Sequence, residues 1–159
     1  MNKKYYLLSG IVQSGKTTSL INWAKGKNAD GIVAPIINRV RHLQYISSGL
    51  KRELEIKKGN ENIKTISVGR FLFDEDVFAW GRKNLLKSFL NNPEWLIIDE
   101  IGPLELRGEG LEPAVSKILN RINDKTKTKI IFVVREKLVE SFLQFYNLNR
   151  EEINFITIN

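Results

Sequence analysis

Apolar positions in this chain alternate between two rhythms. Tyr5–Leu8 is a short apolar run that ends at Ser9-Gly10, and after the next lysine Leu20, Ile21, Trp23 and Ala24 recur around one helical face. That order predicts strand, loop, helix. A second extended segment opens at Asp30-Gly31 and runs through Ile32, Val33, Ile36 and Ile37, with Pro35 marking a bend or a sheet edge. Trp95–Ile98 and Ile130–Val134 are unbroken apolar runs, the pattern of strands covered on both faces, and they are placed in the middle of a sheet. Helical spacing is found at Val77, Leu85, Leu86, Phe89 and Leu90, at Leu111, Val115, Ile118, Leu119 and Ile122, and at Leu138, Phe142 and Phe145. Asp74, Glu75 and Asp76 suit the positive end of the first of these helices, Asn92-Pro93 stops it, and Ile153–Ile158 reads as a last strand.

This alternation predicts an α/β fold, a mostly parallel sheet flanked by helices. The stretch 38–69 does not fit the rhythm. Its short segments Leu43–Ile46, Glu53–Ile56 and Ile63–Val68 are separated by Ser47-Ser48-Gly49 and Lys58-Gly59-Asn60, the punctuation of hairpins, so a small β-rich insertion is expected there. At 159 residues the expectation is one domain over 1–159.

Composition narrows the classes. The absence of cysteine removes disulfides and thiolate metal sites, and no apolar run is long enough to cross a bilayer or to serve as a signal peptide, so a cytoplasmic, soluble, monomeric protein is expected. The formal charge of +7 favours anionic partners. Nucleic acid is one such partner, but the basic residues are dispersed and no nucleic-acid-binding motif is present.

Phosphate chemistry is written more specifically. Gly10-Ile11-Val12-Gln13-Ser14-Gly15-Lys16-Thr17 satisfies G-x-x-x-x-G-K-[ST], after a strand and before a helix, where the pattern must lie to work. Gly10 and Gly15 allow a tight turn whose amides, from about Gln13 to Thr17, wrap an anionic phosphate at the helix N-terminus. Lys16 supplies a full charge to the β- and γ-phosphates, the Thr17 hydroxyl is a hard ligand suited to Mg2+, and Thr18 reaches the α-phosphate. The predicted ligand is a nucleoside triphosphate such as ATP or GTP.

The run Trp95–Ile98 ends in Asp99-Glu100, and open α/β sheets collect ligands at the carboxyl ends of their strands. Asp99 is then the residue that joins Thr17 in holding the metal shell, and Glu100 the base that orients or deprotonates an attacking water. The spacing leaves room for one more strand between the two motif strands. Arg135, beyond Val134, is a candidate sensor of the γ-phosphate or a surface arginine, and Arg70 and Arg39 are further candidates for transition-state charge. His42 has no ligand-spaced partner and is read as structural, and Trp23, Trp80 and Trp95 are read as core.

Ile98-Asp99-Glu100-Ile101-Gly102-Pro103-Leu104-Glu105-Leu106 resembles the D-E-I-G-x-M/L-E-L signature of the thermophile-type nucleoside-triphosphatases, whose human relative is the cancer-related nucleoside-triphosphatase. Gly31 and Ser67-Val68-Gly69-Arg70-Phe71 resemble that family's second strand and its V-G-x-Y stretch. The resemblance spans about Leu7 to Val134. It implies a RecA-like core and magnesium-dependent hydrolysis of several triphosphates to diphosphate and phosphate, with little discrimination of the base. Glu105, within the signature, supports the metal shell or holds a turn. The chain departs from the family where a V-T-x-x-N-R stretch would stand, ending instead Phe155-Ile156-Thr157-Ile158-Asn159, and in lacking G-G-x-R near Asn38, Arg39 and Arg41. A small-molecule kinase and a slow nucleotide switch acting with nucleic acid are the other function classes. Glu100 after Asp99, and the lack of a recognisable acceptor motif, favour hydrolysis.

Overall fold

The computed structural model describes residues 3–10, 15–57 and 62–157. Within them, β1 (Tyr5–Gly10), β2 (Ala29–Val33), β9 (Trp95–Ile101), β10 (Lys129–Arg135) and β11 (Ile153–Ile156) run parallel in the order β11-β1-β10-β9-β2. The two continuous apolar runs, β9 and β10, lie in the middle as their burial pattern requires, and β10 separates the strand ending at Gly10 from the strand carrying Asp99. Parallel strands need crossovers, and the helices that make them cover both faces. Against one face α1 (Lys16–Ala24) packs Leu20 and Ala24 onto Leu8, Val33, Ile97, Ile131 and Val133. The other face carries α2 (Glu75–Leu90), α3 (Ala114–Leu119) and α4 (Val139–Phe145), whose buried residues join Leu7, Ile32, Leu96, Ile98, Ile130 and Phe132.

Local chemistry sets the helix ends. Asp74 caps α2 by accepting from the Asp76 amide at 2.9 Å, and Glu75 and Asp76 lie in its first turn, where the helix dipole favours anions. The apolar spacing from Leu111 to Ile122 suggested a longer helix than α3. Pro113 occupies its N-cap position, so Leu111 packs in the core from the preceding turn instead. Phe132 and Phe142, both fully buried, meet edge to face at 5.0 Å and clamp α4 to the sheet.

The irregular stretch is β-rich, and its strands reach beyond both expected limits. Beyond Pro35, β3 (Ile36–Ile37) turns back through Asn38 and Arg39, both at positive φ, into β4 (Val40–Tyr45), which pairs antiparallel with β2 and extends the main sheet. The hairpin at Ser47–Gly49 leads to β5 (Lys51–Glu53). β6 (Glu55–Ile56), β7 (Thr65–Val68) and β8 (Phe71–Asp74) form a separate three-stranded sheet in the order β6-β8-β7. The hairpin expected at Lys58-Gly59-Asn60 lies outside the described residues. A buried carboxylate ties this region to the core: Asp30 accepts from the amides of Gly31 and Ser47, at 2.8 and 3.0 Å, and from the Tyr45 hydroxyl at 3.4 Å. The antiparallel strand β4 is thereby anchored beside β2, which fixes where its side chains emerge.

The tryptophans are half-buried, and none of them lines the cavity at the carboxyl end of the sheet described below. Trp95 begins β9 and meets Trp23 and Tyr6 edge to face, with Lys27 and Lys129 over the indole rings, and Trp80 packs against the larger core under Arg52. Among the described residues no helix is long and apolar enough to cross a membrane.

Candidate active site

Two residues 82 apart in sequence meet at the carboxyl end of the sheet. The Thr17 hydroxyl, in the first turn of α1, donates to Asp99 Oδ2 at 2.6 Å, and the Ala34 amide donates to the same oxygen at 3.1 Å. Strand pleating explains the meeting. Ile97 and Asp99 share the face that α1 covers, whereas Leu96 and Ile98 point to the opposite core. Gly15 caps α1 at φ +78°, a left-handed conformation that glycine adopts without strain, and its carbonyl accepts from the Ser19 amide to open the helix. Gly10 ends β1; Gln13 and Ser14 lie outside the described residues.

The Asp99 carboxylate is buried, and its second oxygen, Oδ1, has no hydrogen-bond partner among the described residues. Burial, reinforced by the neighbouring Glu100 charge, pushes its carboxyl up from 3.8 to about 6, against the opposing pull of Thr17, Ala34 and Arg41. A buried, half-satisfied carboxylate beside a hydroxyl is the hard-oxygen set that a divalent cation would relieve.

Glu100 points elsewhere. The β9–β10 register passes from Val133↔Asp99 to Val134↔Ile101, so Glu100 is the extra residue of a bulge and has no partner on β10. Bulges of this kind re-aim a side chain at a sheet rim. Here the carboxylate meets two guanidiniums, Arg41 Nη1 at 2.7 Å from Oε2 and Arg135 Nη2 at 3.4 Å from Oε1. Arg135 had been expected near this end of the sheet from its position past Val134. Arg41 had not been singled out. It reaches the site because β4 runs antiparallel beside β2, and its guanidinium is further held by the Ala34 carbonyl at 2.7 Å. The pattern of residues around Arg41 carries no sign of that strand pairing.

Gly15, Lys16, Thr17, Thr18, Asp99, Glu100, Arg41 and Arg135 line a cavity of about 220 Å³. Three of its side chains are cationic and two anionic, which leaves it net positive toward an incoming polyphosphate. Glu105 is not part of it. Its Oε1 accepts from the Gly102 amide and its Oε2 from the Leu111 amide, each at 3.0 Å, which is the turn-holding alternative of the two weighed for it. Arg39 is exposed, with its carbonyl accepting from Lys57; Arg70 is exposed and lies over Phe71. His42 sits on β4 with Nδ1 at 2.8 Å from the Val40 carbonyl, a local structural contact.

A family model described as NTPase matches residues 5–159 of the chain. Among solved structures, the crystal structure of THEP1 from the hyperthermophile Aquifex aeolicus superposes with a TM-score of 0.73 at 19% sequence identity, over 98% of this chain and 90% of that one. Likeness at that identity establishes the fold. A comparison with curated proteins found no match.

Proposed function

The chain belongs to the NTPase family, and we propose that it hydrolyses nucleoside triphosphates, ATP and GTP among them, to diphosphate and phosphate at the cavity between the loop Gly10–Thr17 and the end of β9. The observation that carries this reading is the 2.6 Å contact between Thr17 and Asp99, which brings a phosphate-loop hydroxyl and a strand-end carboxylate to one point. The reading takes residues 1–159 as one catalytic domain, with the β-rich segment supplying a wall of its site.

In this reading the loop amides and Lys16 hold the β- and γ-phosphates, and Thr18 contacts the α-phosphate. Thr17 and Asp99 would hold Mg2+, which would supply positive charge against the negative charge that develops as the phosphoryl group is transferred. The free Oδ1 of Asp99 and the Thr17 hydroxyl suit that ion. Glu100 receives the proton of the attacking water. Each of its carboxylate oxygens meets one guanidinium and keeps a second lone pair that can accept from water. A γ-phosphate competes with Glu100 for these guanidiniums, because its oxygens match the guanidinium fork and carry more charge than one carboxylate. Arg41 and Arg135 thus turn from Glu100 toward the γ-phosphate as substrate seats and stabilise the transferred group.

The test is phosphate release from ATP, GTP, CTP and UTP with magnesium, against the same reactions in excess chelator, in wild type and Glu100→Gln. We expect chelation to stop turnover, and the variant to bind triphosphate while losing hydrolysis by about 10²–10⁴-fold. Turnover that survives chelation would remove the metal role of Thr17 and Asp99, and a near-normal variant would move the base elsewhere.

A further inference from the structure

The amino ends of the parallel strands carry positive charge that the site at their carboxyl ends does not use. Lys4 precedes β1, Lys27 lies two residues before β2, and Lys129 begins β10. Backbone hydrogen bonds hold these ends side by side: the Ile130 amide donates to the Lys4 carbonyl, the Lys129 amide to the Glu94 carbonyl and the Trp95 amide to the Asn28 carbonyl, at 2.8, 2.9 and 3.0 Å. Next to them, at the end of α2, is a cavity of about 520 Å³. Arg121, Lys125 and Lys127 line it together with Asn92, Asn123 and Phe89, and no carboxylate among the described residues does. Lys4 reaches the same loop, its Nζ donating to the Asn123 carbonyl.

The loop that presents these lysines is held by its own hydrogen bonds. Asn123 Oδ1 accepts from the Lys125 amide at 2.9 Å, Thr126 Oγ1 accepts from the Asn123 amide at 3.0 Å, and the buried Thr128 hydroxyl donates to the Pro93 carbonyl at 2.7 Å. Asp124 is the one acid in residues 121–129, against Arg121 and three lysines. Of the cations named here only Lys129 forms an ion pair among the described residues, with Glu94 at 3.6 Å. Two of the lysines lie on aromatic rings. Lys27 Nζ is 4.7 Å from the centre of the Trp23 ring and Lys129 Nζ 4.7 Å from that of Trp95, and the two indoles meet edge to face at 5.2 Å.

We propose that this surface binds a single strand of nucleic acid, with its phosphates on the lysines and in the cavity and its bases against the two indoles. The cations are spread across the ends of β1, β10, β9 and β2, roughly 14 Å at about 4.8 Å per strand, a span that suits a polyanion better than one phosphate. Cations that track a backbone, interleaved with aromatic faces on which any base can stack, are what sequence-tolerant single-strand binding requires. As a base takes its place on an indole, the lysine over that ring moves to a phosphate. A duplex keeps its base faces stacked and would leave the indoles unused. An anionic bilayer would require apolar side chains that project beyond the lysines, whereas both indoles are half-buried beneath theirs. Trp95 and Asp99 are four residues apart on β9, about 13 Å at roughly 3.3 Å per residue, so this surface and the triphosphate cavity face opposite ends of the sheet.

The experiment follows a fluorescein-labelled single strand of about 12 nucleotides, as RNA and as DNA, by anisotropy with the full-length chain and no triphosphate present. At least one of the two should bind at low salt, and affinity should fall with salt on a log–log slope near −3, from about four phosphate contacts at roughly 0.7 each. Tryptophan emission should drop as bases stack. Lys125→Glu with Lys127→Glu, both exposed, should weaken binding about ten-fold or more. Lys51→Glu with Lys64→Glu, on β5 and before β7, changes the net charge equally and should weaken it far less. The same sequence as a duplex should bind more weakly, and vesicles of anionic phospholipid should not bind. No binding of either strand at low salt, equal weakening by the two double variants, unchanged tryptophan emission, or a preference for duplex or for vesicles overturns the proposal. Because the assay contains no triphosphate, its failure and the failure of the hydrolytic reading are separate results.

Discussion

Replacing Glu105 with glutamine should flatten the dependence of stability on pH between about 4.5 and 7. Burial pushes this carboxyl up from 4.5 to about 7; the Leu111 and Gly102 amides pull the other way, and the Glu100 charge adds to the rise. Because the folded chain holds the proton more tightly than the unfolded one, stability falls as pH climbs through that window and levels off above it. At about 1.4 kcal/mol per pH unit the wild type loses roughly 3 kcal/mol across it. Glutamine carries no charge and escapes that loss, but it offers one acceptor where the carboxylate offers two to the amides of Gly102 and Leu111, a deficit of about 1 kcal/mol. The variant should therefore be about 1 kcal/mol less stable at pH 4.5 and roughly 2 kcal/mol more stable at pH 8. Urea unfolding followed by tryptophan fluorescence at several pH values measures this directly. Titration of other buried acids, Asp99 among them, is common to both proteins and cancels in the difference. Stability curves that run parallel from pH 4.5 to 8 would refute the argument, because they would mean that Glu105 releases its proton on the same schedule folded and unfolded.

Three further outcomes follow from particular contacts. Lys16→Ala removes a charge-assisted phosphate contact and should weaken triphosphate binding by about 10–100-fold in calorimetry; unchanged affinity would separate the loop from the ligand. Arg41→Ala should lower kcat by on the order of 10³, with a smaller change in KM, if its guanidinium moves from Glu100 to the γ-phosphate, whereas a change in KM alone would make it a binding residue. Gly31→Ala should destabilise the fold by about 3 kcal/mol or more in denaturant unfolding: Gly31 has φ +134°, and a Cβ there would stand 2.1 Å from the Ile97 carbonyl oxygen, backbone that cannot turn aside.

What could be read from the chain alone was whatever is encoded by neighbours in sequence. The apolar runs at Trp95–Ile98 and Ile130–Val134 announce strands covered on both faces, because a covered strand cannot place a polar side chain on either side. Gly10–Thr17 predicts a phosphate cradle because every group it needs lies within eight consecutive residues. Asp99 and Glu100 were legible as an acidic strand end, and the meeting of Asp99 with Thr17 followed once both motifs were placed at the carboxyl end of one sheet.

Tertiary structure alone decided how the site is closed. Arg41 lies in a stretch with no clear period, and it reaches Glu100 only because Asp30 anchors the hairpin from β2 to β4, bringing an antiparallel strand beside a parallel sheet. The bulge that separates the directions of Asp99 and Glu100 depends on the register with β10, set by hydrogen bonds between strands that begin 34 residues apart at Trp95 and Lys129. The cationic cavity at the amino end of the sheet needs the end of α2 and the loop before β10 to stand around one space. Contacts of this kind are energies between distant segments, and a linear pattern carries no record of which segments will meet.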